Sequence, residues 1–182
     1  MSRVTALEIT CRSMQESDLP LMLAWRLNPK VGAGLTPGKQ APTWDEHRSW
    51  WRRREGRVDW IIEAETDDFG KRPVGSVNAR LGGLEPEIGV FVGETTLWGR
   101  GVARAAIDQL CAWLAAQGHV AVVATIAKSN ERSRRLLQGC GFARVQATAP
   151  DTIRVRRELR AGQAAANVPR HRGVLSRLLP RE

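Results

Sequence analysis

Gly99-Arg100-Gly101-Val102-Ala103 sets two glycines and an arginine immediately before a stretch whose apolar residues recur at helical spacing. In the first turn of a helix, backbone N–H groups lack intrahelical partners and the positive end of the helix dipole gathers. Such a turn can hold an anion, and glycines without a Cβ let a bulky phosphate group approach the backbone. Arg100 and Arg104 add positive charge at its flanks. The segment is too short for a P-loop and lacks the third glycine of a dinucleotide fingerprint. An ordinary turn is the plain alternative. A second polar segment, Ser129-Asn130-Glu131-Arg132-Ser133-Arg134-Arg135-Leu136-Leu137, runs into Gly139-Cys140-Gly141-Phe142. Asn130 is suited to capping a helix there. Trp44, His47 and Trp51 share one helical face at i, i+3 and i+7. Aromatics so placed either stack on a ring-shaped ligand or build the core beneath a helix, and Arg26 and Arg48 are cations able to hold a phosphate.

Composition excludes other chemistries. Cys11, Cys111 and Cys140 have no CxxC spacing, and the three histidines are scattered, which argues against a disulfide framework and against a metal site. At 182 residues and 20.2 kDa the chain predicts one domain, long enough to bury a core without such staples. A hydrophobic fraction of 42% with 26% charged residues is globular rather than disordered. No run approaches the roughly 20 apolar residues of a membrane span. Met1–Met14 alternates polar and apolar residues without the apolar core of a signal peptide, so a soluble, cytoplasmic protein is expected. The net charge of +9 is unevenly spread: residues 1–149 carry 20 basic and 16 acidic groups, residues 150–182 carry 8 and 3. Half of the excess thus sits at the C-terminal end, which predicts a solvated or self-docking tail rather than a nucleic-acid-binding arm.

The elements that must position these groups follow from periodicity. Val4–Met14 alternates as a strand. Ser17-Asp18-Leu19-Pro20 predicts a helix start with Ser17 as cap; the helix runs to a stop before Pro29. Val31–Pro42, rich in glycine and proline, predicts a loop. Thr43 with Glu46 forms a capping box opening a helix through Arg54. Asp59–Glu65 and Val74–Leu81 predict strands joined by a polar turn over Thr66–Arg72, and Glu87–Val92 a third strand. Gly101–Gln117 predicts a helix with a stripe at Ala103, Ile107, Leu110, Cys111 and Leu114. Val120–Ile126 predicts a strand buried on both faces, and Asn130–Gln138 a short basic helix. Phe142–Ala147 and Thr152–Leu159 predict the last strands, with residues 161–182 a separate basic tail.

Taken together, the two polar segments resemble the GNAT superfamily, the acetyl-CoA-dependent N-acetyltransferases. Trp98, Gly101 and Ala103 fall at the first, fourth and sixth places of that family's Q/R-x-x-G-x-G/A loop. Asn130 and Ser133, followed by Gly141-Phe142, match its N-x-x-S/A helix ending in G-F. The order of elements from residue 4 to residue 159 suits the family as well. The resemblance implies an α/β fold over residues 1–160 with a mixed, largely antiparallel sheet of six to seven strands, splayed at the cofactor site and flanked by helices. It implies that the N–H groups of Trp98, Gly99, Arg100, Gly101, Val102 and Ala103, chiefly those of Arg100–Ala103, surround the coenzyme A pyrophosphate. The backbone of Phe91, Val92 and Gly93 would pair with the pantetheine arm, with Asn130 and Ser133 touching it from the opposite side. No metal is implied.

The resemblance implies direct transfer of an acetyl group to a primary amine. Attack needs that amine neutral, so a base near the splay is useful. Glu87 opens the strand leading to the cofactor loop and shares a face with Gly89 and Phe91, which makes it the candidate base. An exposed carboxylate at a hairpin end is the plain alternative. Ser76 and Asn78, alternating on the preceding strand, are candidate acceptor contacts, as are Trp25, Arg26 and His47 on the first two helices. Those helices resemble a branch holding ribosomal-protein N-terminal acetyltransferases and acetyltransferases of nucleotide-linked amino sugars. Two departures stand out: Trp98 replaces a polar Gln or Arg, and Leu137 occupies the place where many members carry a tyrosine that protonates the departing thiolate. The expected acceptor is a small amine such as an amino sugar. A protein N-terminus and a catalytically idle acyl-CoA-binding module are the alternatives, and the expected assembly is a monomer or homodimer without membrane or nucleic acid.

Overall fold

The computed structural model describes residues 7–35, 41–66 and 69–160. Seven strands form one sheet in the order β1-β2-β3-β4-β5-β7-β6. They are β1 (Glu8–Ser13), β2 (Arg57–Thr66), β3 (Gly70–Arg80), β4 (Glu87–Val92), β5 (Ala121–Ala127), β6 (Ala143–Ala149) and β7 (Thr152–Glu158). Every neighbouring pair is antiparallel except β4 and β5, which run parallel. Among the described residues five α-helices flank the sheet: α1 (Leu19–Leu27), α2 (Pro29–Leu35), α3 (Trp44–Arg52), α4 (Val102–Ala116) and α5 (Glu131–Gly139). No helix among the described residues is long and apolar enough to cross a membrane.

The period-2 pattern of the strands divides the sheet into two unlike faces. Val58, Trp60 and Ile62 of β2, with Val77 and Ala79 of β3, join Val102, Ala106, Ile107, Leu110 and Leu114 of α4 in the main core. Trp60 and Trp113 meet there edge to face, with centroids 5.6 Å apart. β5 is buried on both faces from Ala121 to Ala124, as its continuous apolar run predicts. The opposite face carries a smaller cluster, Met14, Leu19, Met22, Trp25 and Ile61, beneath α1.

Two local expectations are corrected. Ser17 does not cap the first helix. The chain first makes a 3-10 turn over Glu16–Asp18, where Gln15 and Asp18 form the capping box. Asp18 is fixed there by both terminal nitrogens of Arg12 at 2.7 Å, which moves the helix start to Leu19. Nor is the segment after Pro29 a loop throughout. Pro29 opens α2, a first-turn position where its missing N–H costs nothing, and the Asn28 side chain accepts from the Lys30 N–H at 3.0 Å. A Cβ at Gly32 would fall 2.6 Å from the Arg26 carbonyl oxygen, so the glycine that suggested a loop instead lets α2 lie against α1. The remainder of that expected loop over residues 36–40, and the tail from 161, lie outside the described residues.

Elsewhere only boundaries move. The helix opened by the Thr43–Glu46 box ends at Arg52, and the box is made reciprocally, with the Thr43 N–H donating to Glu46 at 2.7 Å. β2 and β3 extend further toward their turn than expected. Pro73 is accommodated where the register shifts beside Ile62 and Glu63, an irregularity that tolerates a residue without an N–H.

Candidate active site

The parallel contact between β4 and β5 is a single ladder pair, Glu87 with Val123, reinforced by the Val123 N–H donating to the Pro86 oxygen at 2.9 Å. Beyond it the two strands part. Two adjoining clefts occupy the splay. One, of about 920 Å³, runs along the start of α4 and the face of α5. The other, of about 440 Å³, opens on the polar face of β2, β3 and β4. Val90, Phe91, Asn130, Ser133 and Leu136 line both.

In the larger cleft the first intrahelical bond of α4 runs from the Ala105 N–H to the Gly101 oxygen at 3.0 Å. The N–H groups of Val102, Ala103 and Arg104 therefore have no helical partner. Arg100 differs from expectation, because its N–H donates to the Leu97 oxygen at 3.3 Å. The N–H groups left without a helical partner lie after it and extend to Arg104. Gly99 and Gly101 stand at φ of 78° and 83°, a left-handed backbone that favours glycine here. Trp98, in place of a polar residue, donates its indole Nε1–H to the Val92 oxygen at 2.8 Å, and the Arg132 guanidinium lies 3.9 Å from the ring centroid. One side chain thus ties the end of β4, the glycine loop and α5 together.

Hydrogen-bond parity decides which β4 groups face the splay. The Gly93 N–H donates to Val74 at 2.8 Å, and the β3–β4 register is continuous through Phe91–Ser76 and Gly89–Asn78. In an antiparallel pair alternate residues point their N–H and C=O groups at the partner strand. Phe91 and Gly93 are therefore turned toward β3, while Val90 and Val92 are turned toward the gap. Gly93 serves packing instead: a Cβ there would fall 2.2 Å from the Trp25 ring. Asn130 caps α5 by accepting from the Ser133 N–H at 3.0 Å, and donates its amide to the Gly34 oxygen of α2 at 3.3 Å.

The smaller cleft is polar because cross-strand partners share a face. Arg57, Arg80 and Glu87 form one row, Asp59, Asn78 and Gly89 the next, and Ile61, Ser76 and Phe91 a third. Glu87 is 38% exposed, and its carboxylate lies 3.8 Å from Arg80. The Asn78 amide crosses Gly89, where a Cβ would meet it at 3.2 Å. Ser76 is buried. Arg57 grips the buried Asp59 through Nη2 at 2.7 Å and Nε at 2.9 Å, and Arg54 approaches the same carboxylate at 3.6 Å.

Of the five candidate acceptor contacts, Arg26, Ser76 and Asn78 line this cleft; Trp25 and His47 line neither cleft, and nor does Arg48. Trp25 is core, edge-on to Phe91 at 6.0 Å with its indole N–H toward Glu94 at 3.4 Å. The ring of His47 stacks on Trp50 at 5.3 Å and 11°. Its burial, together with the Arg26 charge, pushes its pKa below the ordinary value. Trp44, on the same predicted face, is instead exposed. Leu137 is buried and lines the smaller cleft, offering no proton. Cys140 is buried away from both, its thiol pushed up by burial.

Sequence reasoning passed over Trp50, Arg57, Asp59 and Val90. A visible signal existed for one pair: Arg57 and Asp59, two apart, put opposite charges side by side on one face of β2, just before the apolar run Trp60–Ile62. Trp50 and Val90 are distinguished only by what the fold sets beside them.

A seven-stranded sheet opened between two parallel strands, with a glycine-started helix at the opening, defines a GNAT-type fold. Residues 8–143 match the acetyltransferase (GNAT) domain family, and the chain belongs to that family. It is 38% identical over 140 residues to an uncharacterized protein of Methanocaldococcus jannaschii; the match covers 76% of this chain and 29% of that relative. A crystal structure of a domain from Methanocaldococcus jannaschii superposes with a TM-score of 0.80 at 35% identity, covering 85% of this chain and all of that one. The spermidine N-acetyltransferase of Vibrio cholerae, solved with CoA and spermine, gives a TM-score of 0.70 at 15% identity over 83% of this chain and 95% of that chain.

Proposed function

We propose that this chain is an N-acetyltransferase that moves an acetyl group from acetyl-CoA to the primary amine of a small acceptor such as an amino sugar. The observation that carries the reading is the meeting of the two clefts at the β4–β5 splay: one begins at a helix start with unpartnered N–H groups, the other ends at a carboxylate. Membership of the GNAT family supports the activity, and the Vibrio cholerae neighbour holds CoA.

The residues fit the cosubstrate's chemistry. The N–H groups of Val102, Ala103 and Arg104 suit a pyrophosphate, and Gly99 and Gly101 leave the approach open. The gap-facing backbone of Val90 and the N–H of Val92, beside Phe91, suit the amide groups of a pantetheine arm, with Asn130 and Ser133 on the facing wall. Acetyl-CoA, when bound, supplies an acetyl group activated as a thioester. Glu87 takes the proton from the acceptor ammonium, directly or through a water, so that the neutral amine attacks. Asn78 and Ser76 orient that amine. With Leu137 in the cleft wall, the departing thiolate takes its proton from water.

Thiol release from acetyl-CoA, measured against a panel of amino sugars, polyamines and N-terminal peptides, tests the reading. Saturable release with a small amine supports it. Release only with peptides would make the chain a protein N-terminal acetyltransferase, and CoA binding without release an idle acyl-CoA-binding module.

A further inference from the structure

The wall of the smaller cleft carries three guanidiniums, Arg26, Arg57 and Arg80, and two carboxylates, Asp59 and Glu87. Four of the five pair off, Arg57 with Asp59 and Arg80 with Glu87. Arg26 is left over. It forms no ion pair among the described residues, and its Nε is buried without a hydrogen-bond partner. Burial and the nearby Arg57 charge lower its pKa against the weaker pull of Asp59, which Arg57 already holds, although a guanidinium stays ionised at any ordinary pH. Deprotonation therefore cannot relieve the cost of holding it there. An anion can.

The surroundings are shaped for one. The Arg26 and Arg57 guanidinium carbons lie 5.8 Å and 5.2 Å from the centre of the Trp50 ring, which His47 holds in place by stacking. Trp50 itself lines the cleft, so a flat apolar surface adjoins the unpaired cation. Glu87 stands on the same wall, on the neighbouring strand to Asn78. The wall thus offers a carboxylate to an ammonium and, separately, a guanidinium with no carboxylate of its own.

We infer that the acceptor is an amine that also carries an anionic group, phosphate or carboxylate, which seats on Arg26 beside Trp50. The inference rests on the transfer reading above and narrows its substrate class. It sets a polyamine apart as the wrong ligand, since every added ammonium meets a wall with one cation in excess. A guanidinium grips either oxyanion through a planar fork that lysine lacks.

The test is calorimetric titration of the full chain with glucosamine, glucosamine 6-phosphate, muramic acid and spermidine. Muramic acid supplies a carboxylate and glucosamine 6-phosphate a phosphate on related amino sugars, so the two arms separate the anion sources. At least one anionic sugar is expected to bind roughly ten- to a hundredfold tighter than glucosamine, the range of a charge-assisted contact. Arg26→Gln, which removes an unpaired charge and so should fold, brings the anionic sugars down to the affinity of glucosamine. Arg26→Lys recovers part of the preference. Equal affinity for the three sugars, tighter binding of spermidine, or a preference that survives Arg26→Gln would overturn the inference. Thiol release from acetyl-CoA is measured separately: an Arg26-dependent preference for anionic sugars without any release would leave the anion site standing and refute the transfer reading.

Discussion

Glu87 sits directly across from Val123, and this is the one ladder position that β4 and β5 share. The residue proposed as the base is therefore also the last point at which the sheet is closed. The bond that closes the apex is made beside it, by the Val123 N–H donating to the Pro86 oxygen, while the Glu87 side chain stands in the row with Arg57 and Arg80 on the polar face. The carboxylate thus lines the closed end of the smaller cleft, and the two clefts meet a few residues further along β4, at Val90 and Phe91.

Glu87→Gln keeps the size of the side chain and leaves the backbone ladder with Val123 intact. Turnover should fall by roughly 10²–10⁴-fold, the usual contribution of a positioned base, while CoA affinity barely moves. The defect should shrink as pH rises toward the acceptor's own pKa, because solvent then supplies neutral amine. Wild-type turnover at neutral pH with the true acceptor would move the role to another group.

Gly101→Asp places a carboxylate beside the N–H groups of Val102, Ala103 and Arg104. Nothing lies within 4 Å of the added Cβ, and at φ of 83° the left-handed backbone costs aspartate about 1–2 kcal/mol, so the fold should survive. CoA binding by calorimetry should weaken by more than about tenfold through like-charge repulsion and loss of the anion site. Unchanged affinity in a folded variant would remove the pyrophosphate from this helix start.

His47 makes stability depend on pH on the acid side. Its folded pKa is lowered from 6.5, first by burial and then by the charge of Arg26, so the unfolded chain binds the proton more readily. The contribution is complete above about pH 6.5 and is lost as pH falls from there toward the lowered folded value. Urea midpoints at about pH 7.5 and about pH 5.5 should differ in that direction. His47→Gln should reduce the difference, leaving a share from His119, whose pKa burial also lowers. An identical pH dependence in the variant would show that His47 titrates alike in both states.

Truncation after Arg160 should leave acetyl transfer within a few-fold of the full chain. Every motif that the cofactor reading uses ends by Phe142, and among the described residues none that lines either cleft lies beyond Gly139. Steady-state thiol release by the shortened chain checks this. Abolished turnover with intact CoA binding would assign the tail to the acceptor site.

Much of the architecture is written in local pattern. The Thr43–Glu46 box, the Asn130 cap, the apolar stripe of α4 and the doubly buried β5 each depend on contacts within a few residues or on a regular period, so they can be read before any fold is known. The glycine loop before α4 belongs with them, since a turn needing positive φ declares itself by residue type. α2 does not. Its glycines and proline indicate a loop until the Arg26 carbonyl of a neighbouring helix is placed against Gly32.

What sequence could not reach is the pairing between strands. Alternation told which residues of β4 share a face, and so grouped Glu87 with Phe91. It did not tell which β3 and β2 residues stand opposite, nor which backbone groups of β4 point into the splay. Register settles both, by setting Arg57 and Asp59 in the rows of Glu87 and Gly89 and by turning Val90 and Val92 to the gap. The same is true of Trp25 and His47, which have the chemistry of ligand contacts but are enclosed by α1, α3 and the sheet. Burial is a property of what packs on a residue, and that is chosen by segments far away in the chain. The chemistry available to this protein is therefore fixed by its residue types, whereas its convergence on one opening is fixed by a register that shifts every side chain to the other face if it slips by one.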